Sequence, residues 1–435
     1  MKRLWFFLML FLMFQTAKSQ TSESDTVWSK SIGSEVKAVK FSPDGQFIYA
    51  AAIGRKPMKL STETGEILRE YEEFKFEGNV FFMAMDVSSD GKWLICGAYG
   101  NEMHIFDTET GLKVKTLKAD YEDNSVYKFT NVAITQDKRS IIAIYTFEEG
   151  HKVTMNGIVI WDAISGELIK TIESRWAMKV AVSPINNYFC ISYFWSELED
   201  KQSEVELYDL NTLEKIQDLG YHNKRIYDIA FSPDGSLLAS GGWDGVIKIW
   251  DVNQKKLVKE IKNAHGFGDI SGYVYSLQFI NNTLLVSGGT DHFKNNILFW
   301  NWHTELKLRD YLTIMPYDLT IHNSKLGISD YNNVVLIDFD ELVGVKSDRV
   351  DGKFGNKPNP FQLTTEIQFV LPFSGIYNIS ITDSYAVEIE ILCNGFLEQG
   401  EHKFQWIPKG VSSGTYFCTI TGNNFSKTLK IMLEK

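Results

Sequence analysis

The chain has 435 residues, with 44 Lys and Arg against 55 Asp and Glu, for a formal net charge of −11. This length suffices for two or three domains with sizeable cores, and shares of 44% hydrophobic and 23% charged residues argue against disorder over most of the chain. The acidic balance disfavours a general nucleic-acid binder, which needs a basic surface. Four cysteines are too few for a disulfide scaffold.

Residues 1–19 have the parts of a secretory signal peptide in the usual order. Lys2 and Arg3 precede the apolar run Leu4–Phe14, and the small-residue pattern Ala17-Lys18-Ser19 follows. At about 1.5 Å per residue, such a run reaches only about half of a ~30 Å hydrocarbon core. We therefore expect cleavage near Ser19, export of the mature protein, and no membrane span in the mature form.

A repeat occupies the chain from about residue 26 to 345. Its clearest copy, Ile226–Ile261, shows four short strand patterns separated by turn residues, with Ser232-Pro233-Asp234-Gly235 after the first strand. The third strand ends in Trp250-Asp251, and related endings recur in other copies: Phe106-Asp107, Trp161-Asp162, Tyr208-Asp209 and Trp300-Asn301. This pattern of strands and turns resembles that of the WD-repeat family, whose repeats of about 40–45 residues each form a four-stranded propeller blade.

The resemblance implies an all-β fold, and we expect a seven-bladed β-propeller over residues 20–345. Seven first-strand patterns are present: Val36–Phe41, Phe81–Val87, Phe129–Ile134, Ala177–Ser183, Ile226–Phe231, Val274–Phe279 and Tyr317–Ile321. The seventh copy has no fourth strand of its own, whereas Val27–Ile32 is a strand without a blade. Pairing Val27–Ile32 with Val334–Asp338 closes the ring and removes exposed edges. Rings of six or eight blades are the alternatives.

The two rims of this propeller carry unequal loops. First-to-second and third-to-fourth turns, such as Ser42–Gly45, are tight. The insertions fall on the opposite rim, which we call the inserted rim: Glu72–Asn79, Ala119–Lys128, Phe147–Asn156, Phe194–Ser203, Asn263–Tyr273 and Asp291–Asn296. Insertions on one face often mark the binding face of a repeat protein.

Aromatic residues collect on the inserted rim, as they do in binding hot spots. The candidate partner-binding residues are Tyr99, Tyr127, Trp176, Trp195, Trp243, Tyr273, His292 and Tyr331. Any single ring has the alternative role of capping a blade or plugging the channel. His265, also on this rim, is expected in a solvated loop. The third-strand Trp and Phe residues are expected in the core.

Residues 346–360 form a polar linker, and residues 361–435 show period-two strand patterns that suggest a small immunoglobulin-like β-sandwich. The motifs are Pro358-Asn359-Pro360-Phe361 at the start, Gly414-Thr415-Tyr416 within, and a basic end with Lys430 and Lys435. They resemble the type A C-terminal sorting domain of the type IX secretion system of Bacteroidota. The resemblance implies export through that machinery, with the product released or attached at the cell surface.

Motifs for chemistry are absent from the sequence: there is no nucleophile elbow, zinc-protease motif, phosphate-binding loop or EF-hand. We expect no catalytic residues, no metal and no cofactor. The expected function is a non-catalytic binding propeller for an unknown extracellular protein or glycan, not for nucleic acid. The alternatives are a propeller-scaffold enzyme (a hydrolase or quinone-cofactor oxidoreductase) and a surface carbohydrate-binding protein. Whether Cys393 and Cys418 pair is left open.

Overall fold

The structure, a computed structural model, describes residues 25–71, 84–97, 102–118, 127–149, 152–174, 176–194, 203–267, 270–290, 294–339, 355–371, 375–383, 388–397, 400–422 and 425–434. These residues form β-strands and turns, with no α-helix among them. The chain divides into two compact units, Met1–Asp338 and Phe339–Lys435.

The described part of the first unit holds seven four-stranded antiparallel sheets. Strand β1 (Thr26–Ser31) comes first, and six sheets then follow in chain order. Their strands are β2 (Val36–Phe41), β3 (Phe47–Ala52), β4 (Met58–Ser61) and β5 (Ile67–Glu70); β6 (Ala84–Val87), β7 (Trp93–Gly97), β8 (Glu102–Asp107) and β9 (Lys113–Lys118); β10 (Tyr127–Ile134), β11 (Ser140–Glu149), β12 (Lys152–Asp162) and β13 (Leu168–Ser174); β14 (Ala177–Val182), β15 (Tyr188–Tyr193), β16 (Ser203–Asp209) and β17 (Lys215–His222); β18 (Ile226–Phe231), β19 (Leu237–Gly242), β20 (Ile247–Asp251) and β21 (Lys256–Ile261); then, after the hairpin β22 (Gly266–Phe267) and β23 (Ile270–Ser271), β24 (Tyr273–Phe279), β25 (Leu284–Thr290), β26 (Asn295–Asn301) and β27 (Leu306–Thr313).

The seventh sheet joins the two ends of the unit. It contains β28 (Pro316–His322), β29 (Lys325–Asp330) and β30 (Asn333–Asp338), and β1 is its fourth strand. Strand β1 runs antiparallel to β30, from Thr26 opposite Ile337 to Ser31 opposite Asn333. The predicted pairing of the N-terminal strand with the last strand of the repeat is thus confirmed.

The first strands of the sheets contact one another in a ring, in the order β2, β6, β10, β14, β18, β24, β28 and back to β2. Apolar side chains fill the spaces between neighbouring sheets. Trp161, Trp250 and Trp300 are all buried there, which confirms the core role expected for the third-strand endings. The tight turns close as expected: in the first, Gly45 N–H donates to the Ser42 carbonyl at 2.8 Å.

The inserted rim contains more regular structure than the sequence predicts. Phe147–Asn156 was expected to be an inserted loop, but β11 and β12 run through most of it, with Phe147 opposite Met155. The prediction of a loop is wrong here because the two strands continue their ladder beyond the sheet as a long hairpin. Within Asn263–Tyr273, the short hairpin β22–β23 replaces a purely irregular loop.

The second unit has two antiparallel sheets. The first contains β31 (Gly355–Lys357), β32 (Thr365–Leu371) and β35 (Gly400–Trp406). The second contains β34 (Glu388–Leu397), β33 (Gly375–Thr382), β36 (Gly414–Gly422) and β37 (Phe425–Leu433), paired in that order. Both sheets contribute to one core, in which Ile367 and Phe369 from one sheet join Ile379 and Ile420 from the other.

Strand β34 departs from the predicted alternation. The period-two pattern places Ile389 and Ile391 on one face of β34, but Ile389 packs against the core and Ile391 is 46% exposed. The register shifts between Ile381, opposite Glu390, and Thr382, opposite Glu388, so Ile389 is an extra residue in a bulge and the alternation is broken between it and Ile391.

Cys393 and Cys418 are free thiols. They lie on the two strands that flank β33 on opposite sides, with Cys393 opposite Ile379 and Cys418 opposite Ile381. Two inter-strand spacings of about 4.8 Å exceed the roughly 7 Å that a disulfide spans between Cα atoms. The pairing left open by the sequence does not form in this arrangement.

Candidate functional site

The channel at the centre of the first unit is lined by the first strands, and buried polar side chains there link neighbouring sheets. Asp86 accepts a hydrogen bond from Ile134 N at 2.9 Å and Asp228 one from Leu277 N at 2.7 Å. Asp318 accepts one from Val39 N at 3.1 Å. Each of these bonds crosses from one sheet to the next, so the carboxylates act as inter-sheet ties.

Two lysines lie beside these three carboxylates. Lys179 Nζ lies 3.1 Å from Asp228 and Lys40 Nζ lies 3.6 Å from Asp318. Burial raises the pKa of Asp86 and of Asp228, with Lys40 and Lys179 respectively opposing the shift. Burial also opposes the charged form of Lys179, but the surrounding carboxylates outweigh it and raise its pKa. The arrangement is therefore a buried ionic network that holds the sheets in place.

A cavity of about 380 Å³ lies directly above this network. Its walls include the second residues of several first strands, at the end where those strands leave the inserted rim. The cavity therefore opens toward the inserted rim, and we call it the mouth cavity. It is lined by Lys37, Ala38, Lys40, Ala84, Met85, Lys128, Thr130, Asn131, Thr146, Asn156, Trp176, Ala177, Met178, Lys179, Arg225, Tyr227, Tyr317 and Asp318. Its volume falls in the range of small ligand sites.

A row of aromatic rings leads from the rim toward the mouth cavity. Trp243 packs edge-on against Tyr273 with ring centroids 5.7 Å apart, and Tyr273 contacts Tyr275 at 5.9 Å. Tyr275 in turn contacts Tyr227 at 5.6 Å, and Tyr227 lines the cavity. Burial, with neighbouring tyrosines, raises the pKa of Tyr275 to about 12, so its hydroxyl is protonated at neutral pH.

The predicted site residues fall into three groups. Trp176 lines the mouth cavity, and its backbone has a φ of 71°, a conformation that bulky residues rarely adopt. Trp243 and Tyr331 are 36% and 43% exposed on the inserted rim, and Tyr273 lies in the aromatic row. Tyr99, Trp195 and His292 lie outside the described residues, as does the Tyr127 side chain.

Sequence reasoning missed the tyrosines and the arginine of the mouth. Tyr227 and Tyr317 occupy the second positions of β18 and β28, Tyr275 occupies the third position of β24, and Arg225 directly precedes β18. These first-strand positions recur once per repeat, so the residues can be recognised in the sequence. The loop positions that supplied the aromatic candidates do not include them.

Two buried histidines, His222 and His265, form similar hydrogen-bond networks on neighbouring sheets. His222 Nε2 and Trp250 Nε1 both lie 2.8 Å from Ser240 Oγ, and His222 Nδ1 is 3.0 Å from Asp244. His265 is only 1% exposed, so the expectation of a solvated loop is wrong for it. It makes the matching contacts in the next sheet, with Ser287 at 2.8 Å and Asn296 at 2.9 Å. These networks fasten the loop before each first strand to the sheet beneath it.

One group of acidic side chains in the described residues has metal-like spacing: Glu204, Glu206 and Asp218. Lys215 Nζ lies 2.6 Å from both Glu206 and Asp218. Lys215 thus pairs with two of the three carboxylates, and the group forms an ion-pair cluster. Across the described ranges, we find no helix with the length and hydrophobicity required to cross a lipid bilayer.

The predicted export residues of the second unit come together around its last strand. Asn359 Nδ2 donates to the Lys430 carbonyl at 3.2 Å, and Met432 N donates to Asn359 Oδ1 at 2.9 Å. Phe361 is buried and pairs beside Leu433, while Pro358 and Pro360 are exposed. Tyr416 donates from its hydroxyl to the Ser412 carbonyl at 2.7 Å. Gly414 begins β36, and Lys435 lies outside the described residues.

Residues 213–251 match the family model described as WD domain, G-beta repeat, and this segment contains His222, Ser240 and Trp250. The chain is 25% identical over 233 residues to eukaryotic translation initiation factor 3 subunit I of Bombyx mori, covering 52% of this chain and 66% of that protein. It is 27% identical over 233 residues to WD repeat-containing protein 1 of Mus musculus, covering 52% and 35%. The matched parts span less than two thirds of these relatives.

Among solved structures, the fold is similar to the crystal structure of RRP9 WD40 repeats, with a TM-score of 0.57 and 16% sequence identity. The match covers 73% of this chain and 98% of that chain. Together with the matched repeat, this likeness supports a WD-repeat β-propeller.

Proposed function

We propose that this protein is a non-catalytic binding scaffold that receives a macromolecular partner at the inserted rim and the mouth cavity. The observation that carries the proposal is the row of rings from Trp243 to Tyr227, which links an exposed surface to a cavity. Aromatic anchors beside a cavity are typical of interface hot spots. The buried carboxylates Asp86, Asp228 and Asp318 are engaged in hydrogen bonds between sheets, which favours binding over chemistry. The similarity to WD-repeat proteins supports the same proposal.

A capture experiment tests this function. The double variant Trp243→Ala/Tyr331→Ala removes two exposed rings from the inserted rim. The matched control, Ile164→Ala/Ile185→Ala, removes two side chains that are each 67% exposed on the tight-turn rim. From extracts of cells that naturally produce the protein, the control is expected to recover the wild-type partner and the rim variant at least tenfold less. Equal recovery by both variants contradicts the proposal.

We further propose that the chain is organised as a signal peptide (1–19), a seven-bladed propeller (20–345), a linker (346–360) and an immunoglobulin-like sorting domain (361–435). The end of the predicted linker is part of the second unit, because β31 pairs with β32. The product is then delivered to the cell surface or the medium through a type IX secretion system. The seven four-stranded sheets and the ring of first strands support the blade number. The docking of Asn359 and Phe361 onto β37 supports treating the start and end motifs as one signal.

Export is tested by truncation. A chain ending before Phe361 is expected to remain in the periplasm of a host with type IX secretion, whereas full-length protein reaches the surface or the medium. A full-length Leu363→Ala control changes a residue that is 81% exposed and should be exported normally. Equal surface display of the truncated chain contradicts this part of the proposal.

A further inference from the structure

We propose that the mouth cavity binds a carboxylate group of a partner protein, with Arg225 as the residue that receives it. This inference rests on the proposed function, because it requires a partner at the inserted rim. It goes beyond the proposed function by naming the chemical group of the partner that enters the channel.

The first argument is charge. Three lysines of the cavity each have a carboxylate partner: Lys37 with Glu35 at 2.7 Å, Lys40 with Asp318 at 3.6 Å, and Lys179 with Asp228 at 3.1 Å. Arg225 differs, because it forms no ion pair with any carboxylate in the described ranges. In a chain whose net charge is −11, the guanidinium at the mouth of the channel therefore has no compensating carboxylate among the residues that the structure describes. A single negative charge compensates it, which favours a carboxylate over a doubly charged phosphate.

The second argument is the environment of the guanidinium. Its central carbon lies 4.9 Å from the ring centroid of Phe194 and 5.9 Å from that of Tyr227. Nη2 reaches the Met178 sulfur at 3.4 Å, a weak acceptor. Nε is buried and has no acceptor among the described residues. Aromatic contacts of this kind hold a guanidinium in place while its donors stay available for the two oxygens of a carboxylate.

The third argument comes from Asn156, which lines the same cavity and is only 5% exposed. Its Nδ2 donates to the Ala177 carbonyl at 3.4 Å, which fixes the orientation of the amide. Its Oδ1 has no donor among the described residues. The cavity thus offers donors for a carboxylate and an acceptor for an N–H group. An acidic residue within a polypeptide supplies both groups, whereas a free inorganic anion supplies only the first.

The test measures fluorescence polarisation of labelled peptide pools with the purified full chain. Three pools have random flanks, amidated ends and a central Asp, Asn or phosphoserine. A fourth pool lacks the central acid and ends in a free carboxylate, so it separates a side-chain source from a chain terminus. We expect the Asp pool or the free-carboxylate pool to bind at least tenfold more tightly than the Asn pool.

Variants locate the effect. Arg225→Gln is expected to abolish this preference, and Arg225→Lys, which keeps the charge but loses the planar fork, to reduce it. The matched control Lys224→Gln removes an equal charge from an exposed neighbour and should keep the preference. Scanning calorimetry verifies that each variant is folded. If Arg225→Gln does not fold, the comparison of the wild type with Arg225→Lys decides the test.

Several results overturn the inference: no binding of either acidic pool, binding of both the Asp pool and the free-carboxylate pool no tighter than that of the Asn pool, tighter binding of the phosphoserine pool than of either acidic pool, or an unchanged preference in both Arg225 variants. If these occur while Trp243→Ala/Tyr331→Ala still loses the partner, the carboxylate inference fails and the rim function stands. If the carboxylate preference holds while that double variant keeps its partner, the cavity binds acidic peptides and the proposed rim function is wrong.

Discussion

Trp28 offers a sharp test of how the N-terminal strand closes the ring of sheets. Its side chain is partly buried against the cluster that contains Val334 and Leu336. Its Nε1 donates to the Thr62 carbonyl at 2.9 Å, and the ring lies over Gly65, where an added Cβ would come within 2.7 Å of it. Trp28 therefore ties the seventh sheet to the first, on top of the pairing of β1 with β30.

The size of the effect follows from the contacts. A tryptophan that buries about 150 Å² at about 25 cal/mol per Å² contributes roughly 3–4 kcal/mol. Trp28→Ala should therefore lower the free energy of unfolding by about 3 kcal/mol, close to the usual cost of removing a buried ring. Trp28→Phe keeps most of the ring but loses the hydrogen bond, at a cost of about 1 kcal/mol.

Scanning calorimetry of the full chain checks this ranking. The expected drop in the unfolding midpoint for Trp28→Ala is about 6 °C or more, from roughly 2–4 °C per kcal/mol for large domains. Val27→Ala is the control, because Val27 is 44% exposed on the same strand and should change stability by less than about 0.5 kcal/mol. Equal midpoints for Trp28→Ala and Val27→Ala would show that this strand does not close the ring through Trp28.

Three further outcomes are expected. Ser240→Ala leaves His222 and Trp250 without the hydroxyl that they share. It should lower the free energy of unfolding, measured by denaturant titration, by about 2 kcal/mol, and Ser287→Ala should have a similar effect. A loss smaller than that caused by replacing an exposed serine contradicts this account. Burial, with nearby Lys113, lowers the pKa of His104 to about 3, so its contribution is complete above about pH 6.5 and is lost as the pH falls toward 3. Between pH 6 and 4, the free energy of unfolding of the wild type should therefore fall faster than that of His104→Gln by about 1.4 kcal/mol per pH unit. Equal slopes of stability against pH for the two proteins refute this prediction. Lys179→Met leaves the buried Asp228 carboxylate without its ion-pair partner and should lower the free energy of unfolding by about 3 kcal/mol. Most of this loss should be recovered in the double variant Lys179→Met/Asp228→Asn. A double variant as unstable as the single one rules out this pairing.

The inserted rim shows where sequence reasoning about the site succeeds and where it stops. Trp176, Trp243 and Tyr331 follow from loop position alone, because a strand end fixes which rim a residue occupies. Arg225 does not, since its importance depends on having no ion pair with a carboxylate of the described residues and on contacts with Phe194, just after β15, and Tyr227 in β18. Such a relation between residues distant in the chain has no period in the sequence.

The sequence by itself determined the all-β class, the positions of the first strands and the pairing partner of β1. Alternation of apolar residues and the Ser-Pro-Asp-Gly turns act over a few residues, so they can be read locally. Tertiary structure alone decided that Phe147–Asn156 extends a ladder, that Ile391 turns outward at a bulge, and that His265 is buried. Each of these depends on what the neighbouring strand presents: a strand continues while it has a partner, and a side chain is buried only when another element covers it.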